Sequence, residues 1–137
     1  MLFNVFGNNN DPLVLCMHGM MQDWHSEYEL LKPFENYYRL LIPAIDGFYE
    51  ESKDFTDFAD QCRQIEEYVQ TNFSGEIYGA YGASQGGLML TELLTRNRVK
   101  INTVKRNFLE YIQSSCRYCR NYIKSVSLVR QQRALCY

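Results

Sequence analysis

The sequence predicts an α/β protein built on a parallel sheet with helices on both faces, and three observations carry that expectation. Short runs such as "PLVLCM" and "YRLLIPA" are apolar throughout rather than alternating, as strands buried on both faces are. Longer segments between them place apolar residues three and four apart, the mark of amphipathic helices. The two patterns alternate along the chain as strand, helix, strand, helix, strand, helix, strand, the order of a sheet covered by crossover helices.

Each element has its own signal. "PLVLCMHG" reads as a buried strand over residues 13–17 that runs into His-Gly. In "DWHSEYELLKPFENY", Asp23 suits a helix N-cap and Pro33 limits the helix that follows. "YRLLIPAIDG" is a second buried strand, closed by the turn pair Asp46-Gly47. In "DFTDFADQCRQIEEYVQTNF", Phe55, Phe58, Ala59, Cys62, Ile65, Val69 and Phe73 form one apolar stripe. Asp54 and Asp57 suit the positive N-terminal end of that helix, and Gly75 suits its stop. "EIYGAYG" reads as the third strand. "GLMLTELLTRN" reads as a helix with Met89, Leu90, Leu93 and Leu94 on one face and a Glu92–Arg96 pair on the other. "KINTV" reads as a fourth strand.

The chain has 137 residues, enough for one compact domain, with the apolar content of a packed protein. No apolar run approaches the ~20 residues needed to span a bilayer, and the N-terminus lacks the pattern of a signal peptide. Five scattered cysteines then read as reduced thiols of a cytoplasmic protein. The net charge of −2 conceals an asymmetry. Residues 1–95 hold four basic side chains, Lys32, Arg39, Lys53 and Arg63, among an excess of carboxylates, whereas beyond them the basic side chains are opposed by Glu110 alone. Two regions follow: residues 1–104, and a basic tail over 105–137.

The chemistry concentrates in "YGASQGG", residues 81–87. A lone serine stands between glycines where a strand runs into a helix. A serine hydroxyl is a weak nucleophile at neutral pH; it needs a base, and donors for the oxyanion that forms. A sharp strand-to-helix turn lifts the hydroxyl clear of the sheet and aims the next N–H, at a helix N-terminus, toward the developing charge. That turn needs tiny residues two before and two after the serine, and Gly82 and Gly86 stand there. The plainer reading is a helix N-cap in a structural turn.

"GASQG" resembles the G-x-S-x-G nucleophile elbow of the α/β-hydrolase family. "LVLCMHGM" upstream is similar to that family's strand ending in His-Gly, and "YYRLLIPAIDGF" to its next strand and Asp-containing loop. The resemblance covers roughly residues 1–104 and implies an incomplete α/β-hydrolase fold. It implies Ser84 as nucleophile, the backbone N–H groups of Met20 and Gln85 as the oxyanion hole, and His18, Gly19, Gly82 and Gly86 as supporting residues. It also implies a small acyl-type substrate (an ester, thioester or amide) attacked through an acyl-serine intermediate, and neither metal nor organic cofactor. The short-chain dehydrogenase fingerprint is the competing glycine turn. Leu88 replaces its third glycine, the motif belongs on a first strand, and no Tyr-x-x-x-Lys pair follows usefully.

The family's triad runs Ser, then Asp or Glu, then His, yet no histidine follows Ser84. His25, upstream in "DWHSEY", is the one substitute base, though a loop histidine is more often a surface residue. Trp24 and Tyr28 read as packing or pocket residues, and Asp46 as a turn residue. The expected chain is therefore impaired, and the alternative is a non-catalytic, truncated or degenerate domain that binds a ligand or partner. The tail departs from the family pattern where the charge changes sign. It reads as an amphipathic basic helix (Ile112, Cys116, Cys119, Tyr122, Val126, Val129), as a nucleic-acid or membrane-surface segment, or as out-of-frame translation. The abrupt change favours the last. "CRYC" falls short of a zinc site, and no nucleic-acid partner is expected. A sheet ending soon after its elbow strand leaves an open edge that invites self-association.

Overall fold

The computed structural model describes residues 1–104. A five-stranded sheet has the order β1-β3-β2-β4-β5, formed by β1 (Leu2–Phe6), β2 (Leu13–Met17), β3 (Arg39–Ala44), β4 (Glu76–Gly82) and β5 (Lys100–Val104). Helices α1 (Trp24–Leu31), α2 (Phe58–Phe73) and α3 (Gln85–Arg96) connect the strands. The tail over 105–137, with its helix, Cys-x-x-Cys and reading-frame interpretations, lies outside the described residues.

The sheet is mixed rather than parallel throughout, which corrects the sequence expectation. Strands β2, β3, β4 and β5 are parallel, but β1 pairs antiparallel with β3, Asn4 opposite Ile42. The Asn4 side chain also donates to the Ile42 carbonyl at 3.2 Å. The sequence pattern does not reveal β1, because "LFNVF" is a half-exposed edge strand with none of the continuous apolarity of the buried strands.

The expected two-sided cover is present. Leu13, Leu15, Met17, Leu41 and Ile45 pack with Ile65 and Val69 of α2 and Met89 and Leu93 of α3. Cys16, Leu40 and Ile42 face the other way, toward Trp24, Tyr28 and Leu31 of α1. Trp24 and Tyr28 are thus packing residues, joined by Phe6, whose ring stacks on Tyr28 at 3.9 Å. Burial of each large apolar side chain contributes about 1.5–3 kcal/mol.

Local chemistry sets the helix ends. Asp23 caps α1 by accepting from the Ser26 N–H at 2.9 Å, while the Ser26 hydroxyl accepts from the Asp23 N–H in return. A 3-10 turn over Lys32–Asn36, with Pro33 at its start, follows α1. Asp57 caps α2 through the Asp60 N–H at 2.7 Å, so Phe55 lies ahead of the helix and packs on Phe58. Ser74 and Gly75 end α2, with φ 54° and 76°, and the Gly75 N–H donates to the Val69 carbonyl at 3.1 Å, the stop expected at Gly75. Free Cys16 and Cys62 are both buried, and burial pushes the Cys62 thiol up to about 12.

Arg96 has a partner on another helix that its spacing does not reveal. Its guanidinium reaches across to α2 and grips Glu66 with both arms, Nε–Oε1 at 2.6 Å and Nη2–Oε2 at 2.9 Å. Glu66 is 5% exposed, and this bidentate pair ties α2 to α3. Replacement by Arg96→Met strands a buried carboxylate. We expect a loss of about 1–3 kcal/mol, read from the urea unfolding midpoint.

Candidate functional site

Ser84 stands between β4 and α3, at the junction expected of it. It is exposed, its backbone lies at φ 47° and ψ −107°, and its side chain makes no cap hydrogen bond. A non-glycine residue with positive φ outside the left-handed well is strained, and such strain costs of order 1–3 kcal/mol. An ordinary N-cap serine has extended dihedrals and bonds a helix N–H, so Ser84 is not one.

The glycines on either side explain how the chain bends there. A Cβ on Gly82 would overlap the Gly86 carbonyl, and one on Gly86 would overlap the Met17 carbonyl and lie 2.8 Å from the His18 carbonyl oxygen. The first turn of α3 therefore sits directly on the end of β2. The Ala83 N–H donates to the Met17 carbonyl at 2.9 Å, continuing the β2–β4 ladder to the edge of the turn.

The loop after β2 arrives at the same place. Gly19 packs so closely that a Cβ there would lie 3.3 Å from the Ser84 Cβ. The Gln22 N–H closes a turn onto the Gly19 carbonyl at 3.3 Å, and Met21 takes φ 67° at its third position. Met20 is exposed in that turn, and Gln85 opens α3, where a backbone N–H has no intrahelical acceptor. Among the described residues, neither N–H donates to a backbone carbonyl outside the regular elements.

The two histidines have different surroundings. His18 is buried, with Nδ1 3.1 Å from the Gly19 carbonyl and Nε2 accepting from the Ile45 N–H at 3.3 Å. Those partners define the neutral tautomer with its proton on Nδ1. Burial lowers its pKa, with the Gly19 carbonyl opposing. His18 thus staples the ends of β2 and β3 together. His25 is exposed, stacks on Trp24 at 3.5 Å and places Nδ1 3.3 Å from Asp23 Oδ2. Among the described residues, no hydrogen bond joins either imidazole to Ser84.

Two acidic residues carry more than the sequence disclosed. Asp46 is buried, not merely a turn residue: Oδ2 accepts from Gln61 and Gln64 of α2 at 3.0 and 3.1 Å, and Oδ1 lies 2.9 Å from the Met1 ammonium. Burial works against its ionisation, but those bonds outweigh it and hold the carboxyl below its ordinary range. Glu27, on α1, is fully buried with both carboxyl oxygens unpartnered among the described residues. Burial pushes it up to about 7. Its signal was the spacing Trp24, Glu27, Leu31, which puts it on the apolar face of α1. No group of three or more metal-ligating side chains exists among the described residues. A polar groove of about 610 Å³ runs beside α2 between Arg63, Glu66, Gln70 and Arg98, away from the serine turn.

With this geometry in view, comparison with solved structures shows the fold to be that of α/β hydrolases, present in part. A protein from Desulfitobacterium hafniense assigned to the alpha/beta hydrolase family superposes with a TM-score of 0.70 at 18% identity, over 82% of this chain and 50% of its own. A hydrolase from Pseudomonas aeruginosa gives 0.64 at 16%, over 74% and 39%. The thioesterase domain from the curacin biosynthetic pathway gives 0.63 at 21%, over 74% and 38%. The chain thus spans half or less of the length of these structures. No protein-family model and no curated protein matches the sequence.

The strain at Ser84 has a measurable consequence. Ser84→Gly accepts the same dihedrals freely, so we expect it to exceed Ser84→Ala in stability by about 1 kcal/mol in urea unfolding. Gly86→Ala forces a methyl group into the end of β2. We expect a cost of about 3 kcal/mol or more, with hydrogen-exchange protection lost first in α3.

Proposed function

We propose that the chain carries the nucleophile and oxyanion half of a serine hydrolase site acting on an ester, thioester or amide. The observation that carries this reading is the backbone of Ser84: positive φ, no cap bond and an exposed side chain at a strand-to-helix junction. An exposed serine kept at such a cost has its hydroxyl presented outward for chemistry. The fold supports the same class, since solved structures that share it include an esterase and a thioesterase domain.

In this reading the Ser84 oxygen attacks the substrate carbonyl carbon and gives up its proton to a solvent water as the C–O bond forms. The carbonyl oxygen becomes an oxyanion, received by the N–H groups of Gln85 and Met20, with the positive end of α3 behind them. Collapse breaks the bond to the leaving group, which takes a proton from water and departs as the alcohol, thiol or amine, and a further water hydrolyses the acyl-Ser84 ester to the carboxylic acid and free Ser84. His18 is structural, because both its nitrogens are engaged in holding the loop that carries Met20.

A base is the missing part. The chain has two histidines, one buried and doubly engaged, the other stacked on Trp24 beside Asp23. The described residues therefore form an impaired enzyme, with only the residual effect of oxyanion donors and binding, about 10³–10⁴-fold over water in proteases stripped of their triads. The engagement of both imidazoles equally favours the second reading, a non-catalytic domain that binds a small acyl ligand. Buried thiols at Cys16 and Cys62 fit a reducing, cytoplasmic setting.

We expect p-nitrophenyl ester turnover near background and slow labelling by a fluorophosphonate probe, confined to Ser84 and absent in Ser84→Ala. Rapid stoichiometric labelling that disappears in both Ser84→Ala and His25→Ala would make His25 the base and overturn the impaired reading. Labelling at another residue would overturn Ser84 as nucleophile.

A further inference from the structure

Glu27 is the one buried carboxyl among the described residues with neither oxygen partnered. Its helix α1 has eight residues and begins where the Gly19–Asp23 loop ends, so the seat of α1 fixes the position of that loop. We propose that Glu27 is a positioning residue: its neutral carboxyl seats α1, and with it the loop carrying the Met20 N–H, against β2 and β3, and its ionisation releases them. The claim about the Met20 N–H rests on the oxyanion reading above; the claim about the seat of α1 does not.

Among the described residues, the surroundings offer an ionised Glu27 no counter-charge. Cys16 of β2 and Tyr81 of β4 each feel its charge, and burial raises the pKa of both, so each is neutral near pH 7. From β3, the residues on this face are Leu40 and Ile42, and β1 contributes Phe6. On the 3-10 turn, Glu35 accepts from Tyr28. On α1 and at its cap, Asp23 takes the Ser26 N–H and the His25 ring, and Glu29 meets Lys32 at 3.7 Å. None of these pairs with Glu27.

A carboxylate in such a place lacks both water and counter-charge, whereas a neutral carboxyl costs far less. Burial raises the folded value, so the unfolded chain loses its proton first. The contribution of α1 docking is whole below the ordinary carboxylate range. It is lost as the pH rises through about 7.

Trp24 is the only tryptophan and lies one turn before Glu27, so its fluorescence reports the seat of α1. His25 stacks on it, so the titration is made on the full chain carrying His25→Gln, which takes the imidazole away from the reporter. We expect one transition between pH 5 and 9, centred near 7, which disappears when Glu27→Gln or the apolar Glu27→Met is added. Hydrogen exchange, corrected for its intrinsic pH dependence, should show residues 19–28 losing at least tenfold protection above the transition while α2 keeps its own. A transition that survives both Glu27 variants, or none at all, overturns the proposal, as does protection lost equally in α2. If the seat of α1 moves but fluorophosphonate labelling of Ser84 keeps the same pH profile with and without Glu27→Gln, the positioning role is refuted. Absence of any Ser84 labelling defeats the hydrolase reading instead, and fluorescence and exchange still decide the seat of α1.

Discussion

The contact on which this structure turns is one of backbone on backbone. Gly86 in the first turn of α3 lies against the carbonyl groups of Met17 and His18, and Gly82 lies against Gly86. No side chain separates these segments, so the helix N-terminus comes as near to the sheet end as covalent geometry allows. Everything chemical at the site follows from that closeness. Ser84 is forced into its strained conformation, Gln85 opens its N–H beside the end of β2, and the Gly19 loop is drawn against the serine. A helix set farther out would leave the serine unstrained and would separate the loop from the turn.

Polar ties then fix what the glycines bring together. His18 joins the ends of β2 and β3, Asp46 joins the end of β3 to α2, and Glu66 with Arg96 joins α2 to α3. Each is buried or nearly so, and each partner removed leaves a desolvated polar group behind. The His18 and Asp46 ties sit at the carboxyl ends of the strands, the end of an open α/β sheet where ligand sites form. The polar network holds backbone positions, and the apolar core supplies the bulk of the stability.

Much of this was legible in the residues. Strand β2 was read over 13–17, where it lies, because five consecutive apolar residues end in His-Gly. Helix α2 was legible from its stripe, although Phe55 extended the pattern beyond the helix that Asp57 begins. The serine turn was legible because Gly82 and Gly86 have no other reason to flank it. Strand β1 was not, since an edge strand of mixed polarity has neither continuous apolarity nor a clean alternation, and its pairing to β3 is a long-range choice. The destination of Arg96 was hidden for the same reason: spacing reveals neighbours on one helix, whereas Glu66 comes from another. Asp46 and Glu27 defied the rule that carboxylates face water, one by finding ample partners, the other by finding none.

The strand order also sets a schedule for assembly. Val14 in β2 pairs with Leu40 on one side and Gly79 on the other, so the central strand waits on two distant stretches of chain, the second far later than the first. On the ribosome, β1, β2 and β3 can zip together while α2 is still being made, and β2 then offers a bare hydrogen-bonding edge until β4 emerges. The strand that fills that edge is the one that ends in the serine turn. The serine turn and the filling of that edge therefore arrive in the same stretch of translation, and a nascent chain halted before Gly82 would be left with a sticky central strand.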